Sequence, residues 1–306
     1  MAIAKNISTD KQLTARMMLT GLFIVVLYSV IIAILVAVGV SAIMVVFISF
    51  AMIFGQYWFS DRLALWGMGG RIVTEAEAPE LHAMISRLCA LADMPKPIVA
   101  IADTDVPNAF ATGRSPKRAV VCATTGIMRR LDEPEMEAVL AHELSHVAHR
   151  DVAIMTFASS LGMLAGLVTR MALWSGMMGG SRDDEEGGSG AGAELLIFVF
   201  SIVIYFISFL LTQALSRYRE LAADRSGALL TGKPTVLASA LIKITGEMGR
   251  IPTSDLRQSQ AFNAFFFTPA LNGREGLSVS NLFSTHPTLE RRLAQLDDLE
   301  RQLHGA

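Results

Sequence analysis

Long apolar runs alternate along the chain with amphipathic, charge-bearing stretches. Residues 17–60 contain no charged side chain. That is too long for one membrane span of about 20 residues and suits two, at 17–38 and 40–60, turning at Gly39. The run continues into a second span, which separates it from a cleavable signal peptide. A third run covers 152–178, interrupted by Arg170, which sits near its end and is expected to snorkel to the interface. A fourth covers 195–214. Between them, 179–193 mixes Gly and Ser with Asp183, Asp184, Glu185 and Glu186, the composition of a short flexible loop.

The remaining stretches carry other periods. Leu81, Ile85, Leu88 and Leu91 predict one face of a helix over 75–94, closed by Pro95 and Pro97. The β-branched run 97–102 predicts a strand. Residues 108–112 and 118–123 predict a strand pair across the Gly113-Arg114-Ser115-Pro116 turn. That pair is either a plain hairpin or an exposed edge able to accept an extended peptide. Asp132 with Glu135, and Pro134 in the first turn, predict a capped helix reaching Arg150, its buried stripe being Met136, Leu140, Leu144 and Val147. An amphipathic helix is expected over 233–250. The weakly periodic stretch 249–284 includes Phe262, Phe265, Phe266 and Phe267, expected to pack in a core rather than dip into the membrane surface. A charged amphipathic helix with Leu289, Leu293, Leu296 and Leu299 is expected over 287–303.

Composition agrees with a membrane protein: 52% of the 306 residues are hydrophobic and mean hydropathy is +0.45. A net charge of −2 leaves no nucleic-acid footprint. Lys5, Lys11 and Arg16 precede the first run, Arg62 and Arg71 follow the second, and Arg217 and Arg219 follow the fourth. By the positive-inside rule both termini and the stretches 61–151 and 215–306 are cytoplasmic, with the acidic loop outside. Cys89 and Cys122, far apart and in apolar surroundings, read as buried reduced thiols.

Candidate chemistry centres on His142-Glu143-Leu144-Ser145-His146, an H-E-x-x-H pattern, the signature of zinc metalloproteases. Residues four apart share a helix face, roughly 6 Å apart along the axis, so both imidazoles reach one cation. Glu143 lies close enough to take a proton from a metal-bound water. His149 stands roughly 10 Å along the axis from His142 and is excluded by ~2 Å ligand bonds; it reads as a surface or interfacial histidine. His82 and His304 have no ligand pattern around them. A catalytic zinc needs a third protein ligand. The segment Ser216–Asp224 supplies candidates, since Glu220 and Asp224 share a face. A hairpin of the third and fourth spans returns the chain to the side where the H-E-x-x-H helix ends. Read alone, Arg217, Arg219 and Glu220 are also compatible with ordinary charges beside a membrane.

These stretches together resemble the HtpX family of membrane zinc endopeptidases, related to the CAAX prenyl endoproteases. The likeness covers nearly the whole chain. It rests on Asn108–Gly113, Ala141–His146 with Asp151, Ser216–Asp224, and Ser284-Thr285-His286-Pro287 with Arg291 or Arg292 downstream. The resemblance implies one Zn2+ per chain, with His142, His146 and Glu220 as ligands, Glu143 as general base and Asp224 orienting a ligand histidine. It implies that His286 helps stabilise the oxyanion and that Asn108, Ala109 and Phe110 form the substrate edge. It also implies a role in quality control of bacterial inner-membrane proteins under stress. The 179–193 loop looks longer than a minimal connection, which bears on contacts outside the membrane and not on the chemistry.

The expected architecture is α+β and mostly helical. It has four transmembrane helices plus a zincin-like cytoplasmic domain with a small β-sheet, assembled from 61–151 and 215–306 around membrane hairpins at 1–60 and 152–214. The expected partners are polypeptide substrates, chiefly membrane proteins, the lipid bilayer, and other membrane proteases or chaperones; nucleic acid is not one. Rival readings are a CAAX-type processing protease, a zinc-binding membrane scaffold without proteolysis, and a transporter. The transporter fits poorly with spans so lacking in ionisable residues.

Overall fold

The computed structural model describes residues 11–37, 41–178, 190–248 and 284–305. Gly39, the acidic residues 183–186, the Phe262–Phe267 cluster and the side chain of Arg170 lie outside what is described. The chain is mostly helical with one small mixed sheet. In order it runs α1 (Lys11–Ala37), α2 (Ala42–Gly67), β1 (Gly70–Ile72), α3 (Pro79–Ala92), β2 (Ile98–Ala102) and β3 (Ala109–Thr112). A 3-10 turn (Pro116–Arg118), β4 (Val120–Thr124), α4 (Thr125–Arg130), α5 (Glu133–Ala148) and α6 (Asp151–Met178) follow. The described chain ends with α7 (Gly190–Thr231), α8 (Pro234–Met248) and α9 (Leu289–His304).

Helices α1, α6 and α7 pack through Ile24, Ile31, Leu161, Leu164 and Ile204. Their outer faces, with that of α2, leave Phe23, Phe47, Phe50, Phe54, Phe200 and Phe206 exposed. Apolar faces of this extent suit lipid and would be untenable in water. Among the described residues two helical stretches are long and apolar enough to cross a membrane, Gln12–Ala33 and Phe198–Thr231; Phe47–Phe59 and Asp151–Gly166 are shorter apolar helices. Polar groups inside the bundle find one another: the Tyr28 hydroxyl meets Ser160, and Gln56 donates to Ser159 at 2.7 Å.

The sheet has the order β1-β2-β4-β3. The central β2–β4 pair is parallel, and β3 pairs antiparallel with β4, Ala109 opposite Ala123. β3 is therefore an edge strand. One sheet face packs with α3, α5 and α8 on the main core of Ile85, Leu88, Val99, Val121, Val139 and Leu241. Phe110 and Cys122 cover the other face. Cys89 and Cys122 are free and buried, on opposite faces. In α3, Leu81, Ile85 and Leu88 are buried but Leu91 is 61% exposed. Ten residues on from Leu81, it lies about 80° round the helix, off the stripe.

α5 begins with the capping box foreseen from Asp132 and Glu135. The Glu135 amide donates to Asp132 Oδ1 at 3.0 Å, and the Asp132 amide donates to Glu135 Oε2 at 3.1 Å. Beyond the expected stripe, every residue from Ala138 to Ser145 is buried, because α3, α7, α8 and β3 enclose the helix. Asp132→Ala should cost about 1 kcal/mol and Asp132→Asn a few tenths. Thermal unfolding of the full chain in detergent checks this: equal midpoints for wild type and the alanine variant would show that the cap contributes nothing.

Candidate metal centre

Two helices build the site. α5 carries His142, Glu143 and His146; α7 carries Glu220, Asp224 and Gly227 at positions i, i+4 and i+7, one face. The helices touch backbone to side at Gly227. A Cβ there would stand 2.7 Å from the His142 amide nitrogen and 2.8 Å from its Cα. Only glycine allows that approach, which carries the two carboxylates onto the histidines.

Each imidazole is then fixed by an acid. His142 Nδ1 lies 2.9 Å from Asp224 Oδ1, and His146 Nδ1 lies 2.6 Å from Asp151 Oδ2. A carboxylate only accepts, so each Nδ1 carries the proton that faces its acid, and each Nε2 is left to offer its lone pair to a cation. The two Nε2 atoms face one another at 3.2 Å, and Glu220 approaches them at 3.4 and 3.8 Å. Ligand atoms held at ~2.05 Å in a tetrahedron are about 3.3 Å apart. His142, His146 and Glu220 thus form a group fit to hold a metal ion. Lone pairs this close and this dry repel one another unless a cation sits among them.

The acids are themselves held. Arg292 reaches Asp224 with two bonds, Nε to Oδ2 at 2.7 Å and an η nitrogen to Oδ1 at 2.6 Å. It is 2% exposed, on the apolar face of α9. Arg219 pairs with Asp151 at 2.9 Å, and Arg217 donates to the Ser284 carbonyl at 2.8 Å. Both arginines after the fourth apolar run are therefore engaged around the centre. Asp151 reaches His146 because Arg150, at φ +56°, breaks the helical path between α5 and α6. His149 is an exposed C-cap residue beside Ser226, away from the centre. His82 is buried and donates to the Val73 carbonyl; His304 is exposed near Glu300.

Glu143 is buried beside the ligand pair and accepts from the Ala111 amide at 2.9 Å. Burial pushes its carboxyl up to about 8. Burial also lowers His142, against the pull of Asp224. For His146 burial is outweighed by Asp151 and Glu220, which raise the imidazole to about 10. His286 lies with Nδ1 3.1 Å from Glu220 Oε2, so it meets the carboxylate ligand directly; its Nε2 is buried with no hydrogen-bond partner among the described residues.

The Ala111 amide points at Glu143, away from β4, so odd-numbered residues of β3 present their backbone outward. The backbone of Ala109 and Ala111 turns to the unpaired side of β3, where Ala109 is fully buried against the core and Ala111 is half-buried. Asn108 exchanges bonds with Thr124, and the Phe110 side chain is buried on the far sheet face. Three contributors were not singled out for a role in the sequence: Asp151, Arg292 and Gly227. An arginine among the leucines of an amphipathic helix, and a glycine one turn past Asp224, were the available signals.

Gly227→Ala should push α7 off α5 and loosen both carboxylates from the histidines. Metal affinity is expected to fall on the order of ten- to a hundred-fold, the range for a lost orienting partner, with helical content retained. Zinc titration of the two purified chains measures it; unchanged affinity would mean the helices yield without moving the ligands.

Residues 75–300 match the family model described as Peptidase family M48. Among curated relatives, Protease HtpX homolog 1 of Streptomyces coelicolor is 53% identical over 299 residues, covering 97% of this chain and 96% of the relative. Protease HtpX homolog of Moorella thermoacetica is 51% identical over 300 residues, 98% of each. Among solved structures, the crystal structure of S. mikatae Ste24p matches with a TM-score of 0.54 at 18% identity, covering 94% of this chain and 66% of that one, a likeness of fold. With the family model spanning most of the chain and full-length relatives near half identical, the chain belongs to peptidase family M48, in its HtpX branch, and is a membrane-bound metallopeptidase acting on polypeptides.

Proposed function

We propose that the chain is a zinc endopeptidase that cuts misfolded or damaged membrane proteins at the membrane surface. The observation that carries this reading is the convergence of two Nε2 atoms and one carboxylate at tetrahedral-edge spacing, with Glu143 beside them. Two imidazoles and one carboxylate suit zinc, which keeps a fourth position open in such sites. Bound there by His142, His146 and Glu220, zinc supplies Lewis acidity for a water and for the scissile carbonyl.

The chain's own groups do the rest. Glu143 takes the proton of the attacking water and returns it to the leaving amine. Its burial makes it a stronger base than a solvated carboxylate. The Ala111 amide holds Oε2 and leaves Oε1 to exchange the proton. Ala109 and Ala111 present backbone for an extended substrate added to the β3 edge. His286 steadies Glu220 through Nδ1, and its partnerless Nε2 is the group we assign to the developing oxyanion.

The membrane reading has four spans. α2 and α6 cross with α1 and α7, joining 61–151 and 215–306 into one zincin-like cytoplasmic domain with both termini on the same side. The location is the bacterial inner membrane. Apolar faces on α1, α2 and α7 and the basic residues flanking the runs support this arrangement.

Glu143→Gln should keep zinc near one per chain and lose cleavage of an unfolded membrane protein, while His146→Ala loses both. A chelator should abolish wild-type cleavage and zinc add-back restore it. Cleavage retained by a clean Glu143→Gln preparation would remove the general-base role. Zinc in both chains with cleavage by neither would favour a scaffold.

A further inference from the structure

The β3–β4 pair is closed by a tight turn, Gly113–Arg118. Gly113 has φ +123°, and a Cβ there would stand 2.5 Å from the Arg118 carbonyl oxygen. The turn carries Arg114, Lys117 and Arg118. Arg150 stands across from it: residues 111–115 and 150–153 line the two walls of one cleft that also touches His146. Among the described residues no carboxylate lies within ion-pair distance of any of these four cations. Several cations elsewhere on this domain are paired, as in Arg71–Glu77, Arg87–Glu137 and Arg130–Asp105, whereas Lys233 and Arg291 are scattered singly. Lys117, Arg118 and Arg150 are exposed and Arg114 is half-buried.

Their height relative to the membrane follows from α2. Its outward side chains run Phe47, Phe50, Phe54, Trp58, with Phe54 and Trp58 stacked. Tyr57 and Trp58 lie near the end of the uncharged run 17–60, with Phe59 and Trp66 also exposed beyond them, and such rings sit at headgroup level. Both hold the turn: the Tyr57 hydroxyl donates to the Arg114 carbonyl, and the Arg114 guanidinium lies 3.6 Å from the Trp58 ring centre. On the other wall Arg150 directly precedes α6, whose Ile154 and Phe157 are exposed.

We propose that the Gly113–Arg118 turn and Arg150 form a binding surface for anionic phospholipid headgroups of the leaflet facing the active site. Guanidinium groups fork onto phosphate, and each cation at a membrane surface enriches anionic lipid on the order of five-fold. Acidic substrate is the rival occupant. Lipid is favoured because Lys117 and Arg118 lie outside the cleft lining and Arg114 is already stacked on a ring at headgroup level. The surface has a route to the chemistry, since the turn continues β3, whose Ala111 amide holds Glu143. It rests on the chain's membrane placement and not on its catalytic assignment.

The test uses the full chain carrying Glu143→Gln, with Trp66→Phe and Trp174→Phe so that Trp58 is the sole reporter. It is placed in nanodiscs containing tail-brominated phosphatidylglycerol or, at the same mole fraction, tail-brominated phosphatidylcholine. Quenching of Trp58 should be stronger with the anionic lipid, and Lys117→Glu with Arg118→Glu should erase the difference. Lys117→Gln with Arg118→Gln should reduce it, guarding against misfolding of the charge-reversed chain. Millimolar inorganic phosphate should leave it unchanged. Equal quenching by both lipids, or an excess that survives charge reversal, would overturn the proposal; competition by inorganic phosphate would reduce the surface to an ion site. With the catalytic chain in detergent lacking anionic lipid, charge reversal should leave cleavage of acidic and neutral peptides alike. Selective loss on the acidic peptide would replace lipid by substrate.

Discussion

The approach of α7 to α5 at Gly227 is the constraint on which the centre depends. The three groups fit to hold a metal and the acid behind His142 come from two helices, 74 residues apart in sequence from His146 to Glu220. Their spacing is set by how closely two helix axes come. A methyl group at residue 227 would meet backbone, not a side chain that could swing away. Interiors packed to crystal density pass such a displacement on rather than absorbing it. One position without a side chain therefore sets the geometry of three positions with one.

Charge explains why so many acids gather there. Glu143, Glu220, Asp151 and Asp224 are all buried, and Arg219 and Arg292 are the guanidinium groups paired among them. With neutral histidines, four carboxylates against two guanidinium groups leave two negative charges, the amount a divalent cation cancels. Without an ion, protons take its place near neutral pH: Glu143 is pushed up to about 8 by burial, and His146, despite burial, up to about 10 by Asp151 and Glu220. Removing one partner from such a set leaves a charge stranded in a dry interior. Arg292 and Arg219 are thus part of the metal centre's balance although neither touches the ion's position.

What was legible in the sequence is what repeats at short range. The four-residue spacing of His142 and His146, the Asp132–Glu135 box and the strand pair across Gly113 are local, and the structure contains the box and the pair. Glu220 and Asp224 were readable as one face, but the face they meet depends on two spans returning the chain. Asp151 was invisible as a partner because it depends on a left-handed residue at Arg150, which no propensity favours. Arg292 was legible only as one of the pair Arg291 or Arg292, since the leucine period marks a buried face and cannot say that one buried member is charged. Leu91 failed for the opposite reason: the period drifts, and the helix ends before another turn could restore it.

On the proposed membrane placement, α7 also fixes where the chemistry happens. It is one helix from Gly190 to Thr231, so its apolar part and Glu220 move as a rigid unit. Counting from Leu215, just past the fourth apolar run, Glu220 stands five residues on, about 8 Å along the axis. An extended chain covers roughly 3.4 Å per residue, so a substrate leaving the bilayer reaches the metal within a few residues of the surface. The β3 edge and the basic turn beyond it border the same narrow layer. A soluble protein would have to bring an unfolded segment down to the lipid to be cut, whereas a membrane protein with a frayed span end is already there. On the proposed reading, selection by height needs no sequence code, which suits a strand edge that offers the Ala111 backbone beside Glu143.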